Sequence, residues 1–307
     1  MSVALALLVA LVLLAALPVL AEWLRPLPDP AAAPGQIARL PRGHTHYQWH
    51  GPEDGPVAVC IHGLSTPSYV FAATARSLAA MGFRVLTYDL YGRGFSARPS
   101  GPQTMDFFLG QLRALLDDQK VTGPLTVLGY SMGGQIATGF TAEEGRRVAA
   151  LILAAPSGLV RIETSPRAQL FRKPVIGDWL SRLAGGHMLR QELIELRTTP
   201  TIIPDLEDRQ AAETRTRGFL PALLSSRRHL LANLADEDHR TVHDHGTPVL
   251  AIWGPEDPVI PIRAMGRLAE LNPGARHEQV AKAGHNLLQT HPAQVGDALR
   301  RFLLADA

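Results

Sequence analysis

The 307-residue sequence is poor in the residues that build several common kinds of site. Cys60 is its single cysteine, so the chain can form neither an internal disulfide nor a metal site built from several cysteines. It also has no excess of charge, because 30 Lys and Arg stand against 28 Asp and Glu for a formal net charge of +2. A chain this close to neutral lacks the basic field that a nucleic-acid backbone requires, and nucleic acid is not expected as a partner.

Apolar residues are abundant, at 46%, and some of them form one uncharged run at the N-terminus. Residues 1–21 carry no charged side chain, and a helix needs about 20 apolar residues to cross a bilayer. We interpret this run as a single-pass membrane anchor. The alternative is a cleaved signal peptide, because Pro18 interrupts the run and Val19 with Ala21 resembles a cleavage site. The absence of Lys and Arg before the run favours the anchor.

Basic residues follow the apolar run but do not precede it. Arg25, Arg39 and Arg42 weakly favour a cytoplasmic position for the rest of the chain, whereas a signal peptide would place it outside. Residues 22–44, rich in Pro and Ala, are predicted to be an extended linker.

From residue 45 onward, short apolar runs alternate with longer segments of helical periodicity, a pattern typical of a mostly parallel sheet covered on both faces. Such strands are buried on two sides and are therefore continuously apolar. The sequence predicts a doubly wound α/β fold. Its predicted strands are Val57 to Ile61, Arg84 to Tyr88, Leu125 to Leu128, Ala150 to Ala154, Pro248 to Trp253 and His277 to Val280.

The alternation is interrupted once. Residues 159–246 show helical patterns without a strand-like run, which predicts a helical lid inserted into a core made of residues 45–158 and 247–307. An insertion after the carboxyl end of a strand lies above the crevice where open α/β sheets bind ligands. The apolar face of the lid is expected to cover a pocket.

The most informative motif is Gly129-Tyr130-Ser131-Met132-Gly133, a G-x-S-x-G sequence between a predicted strand and a predicted helix. In this context the turn is tight enough to require small residues on both sides, and it exposes the serine hydroxyl above the sheet. Ser131 is the candidate nucleophile. A serine needs a histidine to accept its proton and a carboxylate to orient that histidine.

Both partners follow in the chain. Asp257 comes directly after the strand that ends at Trp253, and His285 follows the last predicted strand. Parallel strands bring their carboxyl ends to one edge of a sheet, which places both candidates on the same side as Ser131. Glu256 is the rival carboxylate, and we favour Asp257 because Glu256 is expected to face solvent in the turn.

A serine nucleophile also needs backbone N–H groups to stabilise the oxyanion of its intermediate. The N–H of Met132, directly after the serine, is one candidate donor, and the N–H of Leu64, after His62-Gly63, is the other. We expect His62 to support this loop.

Together, His62-Gly63, the segment Asp89 to Ser96, Gly129 to Gly133, Gly254 to Asp257 and Gly284-His285 resemble the α/β-hydrolase superfamily. The resemblance implies a nucleophile at Ser131, an acid at Asp257, a base at His285 and an oxyanion hole at Leu64 and Met132. It also implies that Arg93 and Ser96 are structural, and that no cofactor is used.

The function expected from these residues is that of a serine hydrolase acting on a carboxylic ester. The apolar run and the lid suggest a small hydrophobic acyl substrate such as a monoacylglycerol. Alternatives on the same triad are hydrolysis of carbon–carbon bonds in ring-cleavage products and removal of an N-terminal proline. A non-catalytic binding protein is a further alternative, disfavoured because nucleophile, acid and base are all present.

Two other patterns contain potentially reactive side chains, but we assign neither a role in catalysis or metal binding. The cluster His239, His243 and His245 has a spacing that suits a metal, but we interpret it, like His44 with His46, as exposed surface, and no metal site is predicted. Cys60 lies in a predicted core strand and is interpreted as packing.

Overall fold

The computed structural model describes residues 2–161, 166–195 and 201–304. Its centre is an 8-stranded sheet in the order β1-β2-β4-β3-β5-β6-β7-β8. The strands are β1 (Gln36–Leu40), β2 (Gly43–His50), β3 (Val57–Ile61), β4 (Arg84–Tyr88), β5 (Leu125–Tyr130), β6 (Val148–Ala154), β7 (Val249–Trp253) and β8 (Arg276–Gln279).

Strands β3 to β8 run parallel to one another, whereas β2 is antiparallel to both β1 and β4. In the parallel register, Ile61 lies opposite Gly129, and Gly129 lies opposite Leu153. The strand ends are thus level, and the loops that follow β3, β5, β7 and β8 open onto the same edge of the sheet.

Helices cover both faces of the sheet. Apolar side chains of α3, α4 and α11 pack on one face, among them Phe108, Ile136 and Leu268. Helices α2, α12 and α13 pack on the other face, through Leu78, Leu287 and Leu299 among others. The predicted doubly wound fold is therefore confirmed. These α-helices are α2 (Ala72–Ala80), α3 (Met105–Asp118), α4 (Met132–Glu144), α11 (Arg263–Leu271), α12 (Leu287–Thr290) and α13 (Pro292–Leu303).

Between β6 and β7 the chain forms the helical insertion that the sequence predicts, called the lid below. Four of its residues, Leu189, Phe219, Leu220 and Leu223, form a separate apolar cluster on which Leu64 packs. The lid helices are α5 (Pro166–Arg172), α6 (Ile176–Leu180), α7 (Gly186–Glu195), α8 (Leu206–Arg215), α9 (Phe219–Arg228) and α10 (Asp236–Asp244), with a π-helical turn at Ser181–Gly185.

The sheet begins earlier than the sequence patterns predict. Residues 22–44 were expected to be a linker, yet β1 and the start of β2 lie in this range and pair with each other, with Ile37 opposite His46. These strands escape sequence patterns because they are antiparallel, with β1 at the edge of the sheet and β2 next to it. Only some of their side chains are buried, and those of β2 include the polar Thr45 and His46, so no continuous apolar run marks these strands.

The N-terminal run forms α1 (Val3–Trp23). Within the described residues, α1 is the helix that is long and apolar enough to cross a membrane. Only Pro18 and Glu22 of this helix are buried, whereas large apolar side chains along it are exposed. The second half of α1 contacts the lid, where the indole N–H of Trp179 donates a hydrogen bond to the backbone oxygen of Leu14 at 3.1 Å.

Candidate active site

Ser131 occupies the turn between β5 and α4. Its backbone has φ of 54° and ψ of −119°, a conformation that an L-residue adopts only when the surroundings impose it. A Cβ atom at Gly129 would collide with the backbone oxygen of Gly133, and one at Gly133 would collide with the backbone oxygen of Ile61. The two glycines of the motif are therefore required by the close approach of three backbone segments.

The three predicted side chains come together at the carboxyl edge of the sheet. The Oγ atom of Ser131 lies 3.0 Å from Nε2 of His285, and Nδ1 of His285 lies 2.8 Å from Oδ2 of Asp257. These partners assign the histidine proton to Nδ1, which donates to the carboxylate, and leave Nε2 to accept the serine hydroxyl. The hydroxyl, the imidazole and the carboxylate thus form one continuous chain of hydrogen bonds.

Asp257 is held by more than the histidine. Its Oδ1 atom accepts the backbone N–H groups of Val259 at 2.7 Å and Ile260 at 2.8 Å. With both oxygens engaged, the carboxylate can point only one way toward His285. The rival Glu256 is exposed to solvent, and the hydrogen bond to His285 is made by Asp257.

The loop after β3 lies against Ser131. A Cβ atom at Gly63 would be 3.2 Å from the Cβ of Ser131, so this loop approaches the nucleophile as closely as a glycine allows. Leu64 is the next residue, and Met132 begins α4 directly after the serine. Each of the two predicted N–H donors thus directly follows a residue of this close approach, Leu64 after Gly63 and Met132 after Ser131.

His62 holds this loop from inside. Its Nε2 accepts the backbone N–H of Leu90 at 2.9 Å, so Nδ1 carries the proton and donates to the backbone oxygen of Gly63 at 2.8 Å. Burial lowers the pKa of His62 to about 4, and the ring is neutral at pH 7. His62 supports the loop, as its sequence position suggests.

Arg93 braces the same loop from the other side. Its guanidinium is completely buried and donates to the backbone oxygen of Leu64 at 3.1 Å and to Oγ of Ser226 in α9 at 2.7 Å. Burial lowers the pKa of Arg93. A buried cation needs several acceptors to be tolerated, and these hydrogen bonds join the loop to the lid.

Asp89 organises the turn after β4. It accepts hydrogen bonds from Nδ1 of His46 at 2.7 Å and from the hydroxyl of Ser68 at 2.6 Å. Burial alone would raise the pKa of Asp89, but the hydrogen bond and charge of His46 and the Ser68 hydroxyl lower it to about 2. The pKa of His46 is raised, because its bond and attraction to Asp89 outweigh the opposing effect of burial.

The interpretation of His46 and His239 as exposed surface is wrong. His46 is buried and bonded to Asp89, and His239 is buried on the inner face of α10. Burial lowers the pKa of His239 to about 4. Neither position carries a local signal of burial, because His46 lies in an unrecognised strand and His239 lies in a polar helix whose buried face is narrow.

Sequence reasoning overlooked Tyr130. Its hydroxyl donates to the backbone oxygen of His285 at 3.0 Å, and its ring lies 5.3 Å from the imidazole, measured between ring centres. Its place directly before the nucleophile was the available signal, but the motif leaves that position free.

A doubly wound sheet with a serine, a histidine and an aspartate joined at its carboxyl edge has the construction of a hydrolase of the α/β class. Residues 56–292 match the alpha/beta hydrolase fold family, and the chain belongs to that family as one of its hydrolases.

Several known proteins are similar to this chain. A pimeloyl-[acyl-carrier protein] methyl ester esterase of Vibrio parahaemolyticus is 27% identical over 263 residues, which cover 84% of this chain and 98% of the esterase. The solved structure of a thermophilic esterase from Thermogutta terrifontis has a TM-score of 0.73 at 23% identity, covering 89% of this chain and 99% of the other. The solved structure of a bacterial membrane phospholipase A has a TM-score of 0.71 at 20% identity, covering 99% of this chain and 97% of the phospholipase chain.

Proposed function

We propose that the protein is a serine esterase that cleaves a carboxylic ester through an acyl-enzyme on Ser131. The observation that carries the proposal is the continuous hydrogen-bond chain from Ser131 Oγ to His285 Nε2 at 3.0 Å and from His285 Nδ1 to Asp257 Oδ2 at 2.8 Å. A hydroxyl so placed can lose its proton to the imidazole as it attacks, and the carboxylate stabilises the imidazolium that forms.

In the proposed first half-reaction, Ser131 Oγ forms a bond to the carbonyl carbon of the ester while its proton passes to His285 Nε2. The negative oxygen of the tetrahedral intermediate accepts the backbone N–H groups of Leu64 and Met132. The intermediate then breaks its bond to the alkoxy oxygen, which takes the proton from His285 and leaves as the alcohol. In the second half-reaction, a water molecule gives a proton to His285 Nε2 as its oxygen bonds to the acyl carbon. The bond from that carbon to Ser131 Oγ then breaks, Oγ takes the proton back from His285, and the acid leaves.

A hydrophobic acyl group is the proposed substrate class. Leu64, adjacent to the nucleophile, packs on the apolar lid cluster of Leu189, Phe219, Leu220 and Leu223, so the surroundings of the reacting carbonyl are apolar on the lid side. The ester specificity of the similar Vibrio enzyme supports the class of bond. A monoacylglycerol fits this chemistry.

We further propose that α1 anchors the protein in a membrane. The helix leaves large apolar side chains exposed over most of its length, and such a surface is stable only when something apolar covers it. The similarity in fold to the bacterial membrane phospholipase A extends over 99% of this chain and so includes this segment.

The deciding experiment is labelling with a fluorophosphonate, which reacts with activated serines. Wild-type protein should be labelled and should hydrolyse aryl esters, whereas Ser131→Ala should do neither. Ser77→Ala, a serine variant on α2 away from the site, should behave as wild type. Labelling of Ser131→Ala at the wild-type level would overturn the proposal.

A substrate panel then tests the type of bond. Aryl esters with acyl chains of increasing length should be turned over best, and activity should rise with chain length. Faster turnover of a vinylogous diketone or of an N-terminal proline amide would instead show that the same triad serves one of the alternative reactions.

A further inference from the structure

Glu22 is the one charged residue of α1, and its carboxylate is not exposed to solvent as a charge at a helix end usually is. The residue is only 8% exposed. Its Oε1 accepts the backbone N–H of Gly218 at 2.6 Å, and its Oε2 accepts Nη1 of Arg25 at 2.5 Å. A buried carboxylate is costly unless its oxygens are bonded, and here both are.

Gly218 is the N-cap of the lid helix α9. A helix begins with unpaired N–H groups and a partial positive charge, which an acidic or hydroxyl side chain normally stabilises. Gly218 has no side chain, and the third helical residue, where a Glu usually reaches back to the N-cap N–H, is Pro221. Glu22, at the end of α1, provides the acceptor for the Gly218 N–H that the sequence of α9 lacks.

The first turns of α9 pack against Leu64, in the loop after β3 that is predicted to supply an oxyanion N–H. Phe219, Leu220 and Leu223 are the α9 members of the apolar cluster that contacts Leu64. Further along α9, the hydroxyl of Ser226 accepts from Arg93, which in turn donates to the backbone oxygen of Leu64. The position of Leu64 therefore depends on where α9 begins and how it is oriented.

Neighbouring contacts fasten the same junction. The backbone N–H of Arg217 donates to the oxygen of Pro26 at 2.9 Å, and its Nε donates to the oxygen of Arg25 at 3.0 Å. Arg25 also donates to the backbone oxygen of Arg182 in the lid at 2.9 Å. The junction holds two lid segments against the residues that follow α1.

We propose that Glu22 is a positioning residue for the reaction: by capping α9 it fixes the lid helix that holds Leu64 against the nucleophile. The inference rests on the proposed function, because it assigns to Leu64 the oxyanion N–H. In this proposal α1 has two roles: it anchors the protein in the membrane, and through Glu22 it positions the lid helix next to the active site.

The test compares Glu22→Ala, Glu22→Gln and the matched exposed variant Glu53→Gln in the full-length protein, in detergent. Activity is expressed per active site titrated with fluorophosphonate. Glu22→Ala should lower kcat by about tenfold with little change in KM, since a misplaced donor weakens the transition state more than the bound ester. Glu22→Gln keeps an acceptor for Gly218 and should lose less, and Glu53→Gln should match wild type.

Restoring the cap within α9 provides the discriminating variant. Pro221→Glu places an acceptor at the third helical position, where it can reach back to the N–H of Gly218. Added to Glu22→Ala, it should recover most of the lost kcat.

Two results would overturn the inference: a Glu22→Ala variant with wild-type kcat per titrated site, or a loss that Pro221→Glu leaves unchanged. Failure of the proposed function is distinguishable, because wild-type protein would then show no labelling at Ser131.

Discussion

The hydroxyl of Tyr130 donates a hydrogen bond to the backbone oxygen of His285 at 3.0 Å, and so joins the residue before the candidate nucleophile to the loop that carries the candidate base. The two residues are 155 positions apart in the chain. Burial raises the pKa of Tyr130, so the phenol keeps its proton and remains a donor. The distance between Ser131 and His285 is thus set partly by a side chain that bonds to the backbone of His285.

Tyr130→Phe tests this link. Loss of one neutral hydrogen bond costs about 1 kcal/mol, and a slightly displaced imidazole should lower kcat/KM by about fivefold. Ester turnover and thermal unfolding should be measured on the same preparation. A variant that loses stability but keeps its activity would show that the bond serves folding alone.

Asp257→Asn tests the choice between adjacent carboxylates. An amide cannot hold the Nδ1–H tautomer of His285, and kcat should fall by about 10⁴-fold. Glu256→Gln is the matched control, because Glu256 is exposed, and it should leave turnover unchanged. The opposite ranking in steady-state assays would assign the acid to Glu256.

Much of this site could be predicted from sequence because its signals are local. Ser131 and Asp257 each follow a continuous apolar strand, His285 follows the short polar strand β8, and the parallel sheet brings the three strand ends together. The contacts that escaped prediction are non-local or belong to partly polar strands. The bond from Gly218 to Glu22 spans 196 positions, and β2, the antiparallel strand that contains His46, has no apolar periodicity. Such partners are chosen by tertiary packing, which local patterns do not encode.

The proposed anchor predicts that the protein stays in the membrane pellet after alkaline carbonate extraction and retains residues 1–21. A single charge in the middle of the span is costly in lipid, so Leu11→Lys should shift the protein toward the soluble fraction. Leu27→Lys, beyond the end of α1, is the control and should not. A mature chain that begins at Glu22 in the soluble fraction would identify a signal peptide instead.

Glu213 predicts how stability depends on pH. This α8 residue accepts the backbone N–H of Gly94 at 3.1 Å, in the turn that Asp89 organises. Burial, with repulsion from Asp89, raises the pKa of Glu213 from 4.5 to about 7, although Arg98, Arg93 and the Gly94 N–H oppose the rise. The folded protein therefore binds a proton between pH 4.5 and 7 that the unfolded chain releases.

Because the folded state is the one that holds the extra proton, stability falls as pH rises through this window and levels off above pH 7. Glu213→Gln carries no titrating group and keeps an acceptor for Gly94. Its unfolding free energy relative to wild type should therefore rise by about 2 kcal/mol between pH 5 and pH 8, a figure reduced for the partial exposure of the side chain. Asp208→Asn, which replaces an exposed carboxylate on the same helix, is the matched control. Denaturant unfolding at a series of pH values measures the difference, and a constant offset between Glu213→Gln and wild type would contradict the raised pKa.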